Sequence, residues 1–308
     1  VEDRVERGKI MNGHSDSINS SMRTDMSRKI VDAHHHLWDL GRFHYRWLAE
    51  RPAIDRDFLP RDYAQAIEDT GVDRSVHVQA DVDECFAMQE TRWVLSIADD
   101  EGPVEAVVGW APVEKKDELS KYLDDLGEHP RLKGFRRLIQ AEAADFAARD
   151  EVIEGVRTLG ERGYSFDVRI RHHQLASVVE LARACPQTAI VLDHVGKPDI
   201  AKGELEPWVH DLKQLASLQH VYCKLSGMVT EADWDAWTVD QLKPFAQTVI
   251  DAFGYDRLMF GSDWPVSTLA VDYKGWLDVV DELIEGATME QQDSLFEKTA
   301  TSFYRLST

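Results

Sequence analysis

The sequence predicts a single (β/α)8 barrel, and three observations carry that reading. From Lys29 onward, short β-branched or apolar runs alternate with segments of helical period. The alternation recurs eight times, at a spacing of roughly 30 residues per unit. No G-x-G-x-x-G or Walker-type loop follows the first strand, as an open doubly wound sheet would usually show. Barrels of about 250 residues fold as one domain, so 308 residues fit one barrel with an extension.

The predicted strands are Lys29–Ala33, Arg74–Val78, Val104–Trp110, Leu132–Leu138, Ser165–Ile170, Ala189–Leu192, Val221–Leu225 and Arg257–Phe260. Amphipathic stretches between them include Glu84–Ala98, Asp150–Glu161, Gln174–Ala184 and Leu205–Leu218. Residues 1–28 are polar, without a sustained apolar period, and are expected to be a disordered extension. Residues 29–308 are expected to form the barrel domain.

Composition narrows the function classes. The net charge of −21 repels phosphates and anionic lipid, so neither nucleic acid nor membrane is an expected partner. No run reaches the ~18 apolar residues of a membrane span, and Val1–Met22 has no apolar segment of the signal-peptide kind. Cys85, Cys185 and Cys223 are too scattered for a zinc site and odd in number for a disulfide framework. A cytoplasmic protein acting on a small molecule is expected, with a homo-oligomer compatible.

In a barrel, chemistry sits where the strands end. The first strand runs into His34-His35-His36; residues i and i+2 share a face, so His34 and His36 point together and His35 points away. Two imidazoles at a barrel mouth suit a metal or a polarised carbonyl. The sixth strand breaks at Asp193-His194, before Gly196 and Pro198. His194 is the third candidate, with Asp193 placed to fix a ring tautomer. The eighth strand ends in Gly261-Ser262-Asp263-Trp264-Pro265, which offers Asp263 as general base for water. Arg136 or Arg137 ends the fourth strand, where a guanidinium could grip a carboxylate or oxyanion. Arg171 and His173 beyond the fifth strand, Lys224 in the seventh and Trp264 are further candidates for substrate contact. Trp38, Tyr45 and Trp47 crowd the first loop and could wall the mouth.

Taken together, Asp32-Ala33-His34-x-His36-x-Trp38-Asp39, Lys133-Gly134-x-Arg136, Leu192-Asp193-His194-x-Gly196-Lys197-Pro198, Lys224-Leu225-Ser226-Gly227 and Gly261-Ser262-Asp263-Trp264-Pro265 form a pattern. It resembles the lactonase branch of the amidohydrolase superfamily, which includes L-fuconolactone and L-rhamnonolactone hydrolases and is related to pyrone-dicarboxylate lactonases. The resemblance spans Lys29 to about Leu306. It implies a distorted (β/α)8 barrel and a hydrolytic reaction. It also implies that His34, His36, His194 and Asp263 hold the family's active-site positions. The fourth strand has no lysine at its C-terminal end, so a carboxylated-lysine binuclear centre is not expected. No cofactor is expected to be obligatory; the same four residues could hold one zinc or manganese ion.

The function expected from these readings is hydrolysis of a small polar lactone, most readily a sugar-derived aldonolactone, in carbohydrate or aromatic catabolism. Asp263 would activate water and His34, His36 or an arginine would stabilise the oxyanion. The alternative enzyme is a metal-dependent decarboxylase or C–C hydrolase of an aromatic or unsaturated acid. A non-catalytic binding barrel is the alternative from outside enzymology.

Overall fold

Strands rich in Val and Ile and helices with one apolar face alternate along the chain, and the computed structural model describes residues 28–100 and 102–307. In order, these are β1 Ile30–His35, α1 Pro60–Ala66, β2 Val72–Val78, α2 Ala87–Asp99, β3 Val104–Trp110, α3 Lys116–Leu126, β4 Leu132–Leu138 and α4 Asp150–Glu161. There follow β5 Ser165–Arg169, α5 Leu175–Ala184, β6 Ile190–Leu192, α6 Trp208–Ala216, β7 Val221–Leu225, α7 Val239–Phe253, β8 Leu258–Phe260 and α8 Tyr273–Leu283. The C-terminal segment adds α9 Met289–Asp293 and α10 Thr299–Tyr304, joined by a π-helical turn. The extension expected over residues 1–28 lies outside the described residues except for Arg28. That side chain pairs with Asp281 of α8 at 2.7 Å and lies over the Phe296 ring.

The eight strands form one parallel sheet in chain order, β1 to β8. Its seam is closed by a few bonds rather than a regular ladder: Asp263 N–H donates to His34 O at 2.8 Å, and His36 N–H to Trp264 O at 2.7 Å. The buried Asp32 carboxylate reinforces the seam. It accepts from Ser262 N–H and Oγ–H at 2.9 and 2.6 Å, and from the Tyr63 and Tyr273 hydroxyls at 2.9 and 3.0 Å.

Burial follows the period of two along the strands. Val31, Ala33, Val76, Val78, Ala106, Val108, Val191 and Met259 fill the barrel interior. Residues of opposite parity, such as Phe135, Phe166, Val168, Leu192 and Leu225, pack against the outer helices. The C-terminal segment plugs the end where the strands begin: Arg74 and Lys133, early in β2 and β4, donate to the carbonyls of Ser307 and Arg305.

The period breaks once where it matters for the site. With Val31 and Ala33 inside, strict alternation would point His34 and His36 outward. Asp32 and His35 pair with Ser75 and His77, so β1 spends one residue more than β2. This bulge returns His34 and His36 to the interior, as bulges beside active sites often do. His35 is sent out, to stack on Tyr63 with ring centroids 4.0 Å apart.

Candidate active site

At the C-terminal mouth, β1, β6 and β8 bring His34, His36, His194 and Asp263 together. The Nε2 atoms of the three imidazoles lie 3.8, 3.3 and 3.7 Å from one oxygen, Asp263 Oδ1. Each ring is set by what stands behind it. His36 Nδ1 lies 2.6 Å from the Val78 carbonyl; a carbonyl only accepts, so Nδ1 carries the proton and Nε2 presents a lone pair. His194 Nδ1 is 2.9 Å from Ser226 Oγ, while its buried Nε2 has no partner. His34 Nε2 lies 3.2 Å from the Arg136 guanidinium, which only donates. Its other nitrogen, Nδ1, lies between an acceptor and a donor, Asp193 Oδ1 at 3.2 Å and the Lys224 ammonium at 3.1 Å.

Below His34 the barrel interior is ionic. Lys224 Nζ stands 3.0 Å from Asp193, 2.6 Å from Asp167 and 3.1 Å from His34 Nδ1. Arg136 meets Asp193 at 3.1 Å, and the Tyr304 hydroxyl on the plug donates to Asp167 at 2.7 Å. Parity explains the stack: Asp167, Asp193 and Lys224 share the inward face with Val191.

Charge follows from these contacts. Burial lowers the pKa of His34, His36 and His194, so the imidazoles are neutral. Burial pushes Asp193 up, but Lys224 and Arg136 outweigh it and hold the carboxyl at about 2. Burial likewise pushes Asp263 up, and the imidazoles of His194 and His36 with Arg169 bring it below the usual carboxylate range. An ionised carboxylate oxygen facing the Nε2 atoms of three neutral imidazoles is an arrangement that suits a proton or a cation at its centre.

Backbone shape contributes too. His194 and Asp263 have φ of 53° and 55°, a left-handed conformation that costs non-glycine residues roughly 1–3 kcal/mol. Gly227, at φ +59°, passes so close to the His194 ring that a Cβ there would sit 2.6 Å from Nδ1. Gly261 makes room for His34 in the same way, at 2.8 Å.

A cavity of about 340 Å³ opens above the cluster, lined in part by His36, Trp47, Arg136, Arg171, Lys197 and Trp234. Arg136, Arg171 and Trp47 therefore stand where the sequence placed them, while Arg137 points outward to Glu114 and Glu142. Other residues expected to touch substrate lie elsewhere. Trp38 is fully buried, donating to Arg56 O and packed on Phe58. Tyr45 is buried with its hydroxyl on Glu90. Trp264 packs between Phe58 and Tyr63. His173 is exposed on the turn after β5, beside His172. Lys224 is sealed beneath His34 and does not line the cavity. Long aromatic side chains in the first loop are recruited by the core because burying them is worth more than leaving them at the mouth.

Sequence reading missed Arg169, Lys197 and Gln140, which also line the cavity. Alternation could have found Arg169: it stands two residues beyond the inward Asp167, at the last position of β5.

Fold and site together define an amidohydrolase-type barrel, and comparison with known proteins agrees. The Amidohydrolase family matches residues 31–306, and the chain belongs to that family. An L-fucono-1,5-lactonase of Burkholderia ambifaria is 33% identical over 282 residues, covering 90% of this chain and 95% of that one. An L-fucono-1,5-lactonase of Burkholderia multivorans is 34% identical, covering 90% and 96%. A crystal structure of a Burkholderia multivorans amidohydrolase with bound zinc superposes with a TM-score of 0.83. It is 33% identical and covers 91% of this chain and all of that one.

Proposed function

We propose that this protein hydrolyses a small polar lactone, most readily a sugar-derived aldonolactone, with Asp263 as general base. One observation carries the reading: a single ionised carboxylate oxygen faces three neutral imidazoles beneath a small polar cavity. The likeness to two lactonases supports it.

The residues supply each step. A water held against Asp263 Oδ1 loses its proton as it attacks the ring carbonyl. His36 and His194, whose Nε2 atoms face the same oxygen, can take that proton on. Arg136, at the cavity wall beside His34, offsets the negative charge developing on the carbonyl oxygen. The ring C–O bond breaks, and the protonated imidazole returns its proton to the alkoxide. The ring strain of a lactone and the absence of an amine leaving group ease this last step.

The donor set also fits a divalent cation. His194 Nε2 is buried without a partner, and His34, His36 and Asp263 offer ligand atoms within 4.8 Å of one another. His34, His36, His194 and Asp263 would hold one such ion, zinc or manganese; when bound it would polarise the carbonyl and acidify water.

A pH-indicator screen of aldonolactones, run with and without chelator, tests the proposal. Acid release from an aldonolactone is the expected result. Silence across the panel, with zinc or manganese found in the purified protein, would overturn it in favour of a metal-dependent decarboxylase.

A further inference from the structure

Most charged groups lining the cavity are already engaged. Arg51 stands 3.9 Å from Glu50 and lies over the Trp234 ring. Lys197 is paired with Glu231. Arg136 is spent on Asp193, His34 and the Gln79 carbonyl. Arg169 and Arg171 differ. Among the described residues neither side chain makes a hydrogen bond or an ion pair, and Arg169 Nε is buried with no partner. Arg169 projects from the inward face of β5, and Arg171 lines the cavity two residues further out. Burial and the neighbouring Arg136 disfavour the Arg169 charge. Asp263, Asp81 and Glu231 act on it from nearby, but none reaches hydrogen-bond distance, which leaves its donors for an incoming anion. The cavity lining holds five cations, Arg51, Arg136, Arg169, Arg171 and Lys197, against three carboxylates, Glu50, Asp81 and Glu231, a local excess of positive charge in a chain of net charge −21. Trp47, Trp234, Val266 and Leu269 also line the cavity and suit the uncharged part of a ring.

We propose that Arg169, with Arg171, forms an anion subsite, and that the lactone this cavity takes carries a carboxylate remote from its ring carbonyl. The proposal rests on the lactonase reading and narrows it, from neutral aldonolactones to lactones of acidic sugars. A guanidinium binds a carboxylate through two parallel N–H donors, which both fixes the ring and neutralises its charge. A hydroxymethyl group in that place offers one weaker acceptor and leaves the cation unpaired.

Two lactones that differ only there test it: γ-butyrolactone bearing a 5-carboxylate, and its 5-hydroxymethyl counterpart. The wild-type protein is expected to favour the acid by at least about tenfold in kcat/KM, mainly through KM. In Arg169→Met the acid-to-neutral ratio should fall toward one. Equal use of both lactones by the wild type, or an unchanged ratio in Arg169→Met, overturns the subsite and leaves the lactonase reading standing. If neither lactone is opened, calorimetry with tetrahydrofuran-2-carboxylate and tetrahydrofurfuryl alcohol separates the two ideas. Acid-selective binding that is lost in Arg169→Met sustains the subsite while the lactonase reading fails. Absence of acid-selective binding overturns both.

Discussion

At the scale of single residues, the site depends on groups that never meet substrate. Val78 O, Ser226 Oγ and Arg136 each fix one imidazole, and two glycines leave room for the rings. Gly227 is the sharpest case, being both left-handed and 2.6 Å from His194 Nδ1 at its would-be Cβ. Gly227→Ala should cost roughly 1–3 kcal/mol in stability from backbone strain alone. It should also lower turnover at least about tenfold by tilting His194, since small misplacements are expensive in catalysis. Urea melts and steady-state kinetics check both; a fully active variant would show that His194 does not need its present pose. The four mouth residues were legible in the sequence because each ends a strand in polar residues after an apolar run. Lys224 was misplaced because the sequence shows its position on the strand but not the depth, and depth puts it on Asp167 rather than in the cavity.

At the scale of elements, the strands were legible and their interruptions were not. The ranges of β3, β4 and β7 coincide with those read from the sequence, and Gly102-Pro103 before β3 and Ser226-Gly227 after β7 mark two of their ends. The bulge in β1 is invisible locally, since it is defined by how many residues β2 spends opposite it. The loop after β2 shows a second tertiary effect. Glu90 on α2 is buried, accepts from Tyr45 OH at 3.1 Å and lies 3.4 Å from Ala80 N, so it pins Ala80 of the cavity wall. Burial raises its pKa from 4.5 to about 7. The unfolded chain therefore loses this proton first as pH rises, and the folded state loses stability between about pH 4.5 and 7. The penalty reaches about 3 kcal/mol above that window and is absent below it. Glu90→Gln keeps an acceptor for Tyr45 without a charge. Its stability should exceed that of the wild type at pH 8 and approach it at pH 4.5, as measured by chemical denaturation at the two pH values. Parallel pH profiles for the two proteins would contradict the assignment.

At the scale of the whole molecule, the barrel separates two tasks between its ends. The C-terminal segment seals the far end and, through Tyr304, supports the ionic stack that carries His34. The mouth gathers three neutral imidazoles around one carboxylate. Among the described residues no helix is long and apolar enough to cross a membrane. The order of eight strands was readable from period alone, and so was the end of the barrel that matters. The cavity's outline was not, because Arg169, Lys197, Trp234 and Arg51 come from four different loops or strand ends and meet only when the barrel closes. The central claim is that Asp263 is the base in lactone hydrolysis, and Asp263→Asn tests it most directly. Asparagine tolerates the left-handed backbone at this position, so the variant should fold. Assayed on the lactone the wild type opens, the variant should lose at least about 100-fold in kcat while its melting temperature stays near that of the wild type. A folded Asp263→Asn that turns over at the wild-type rate would contradict the account.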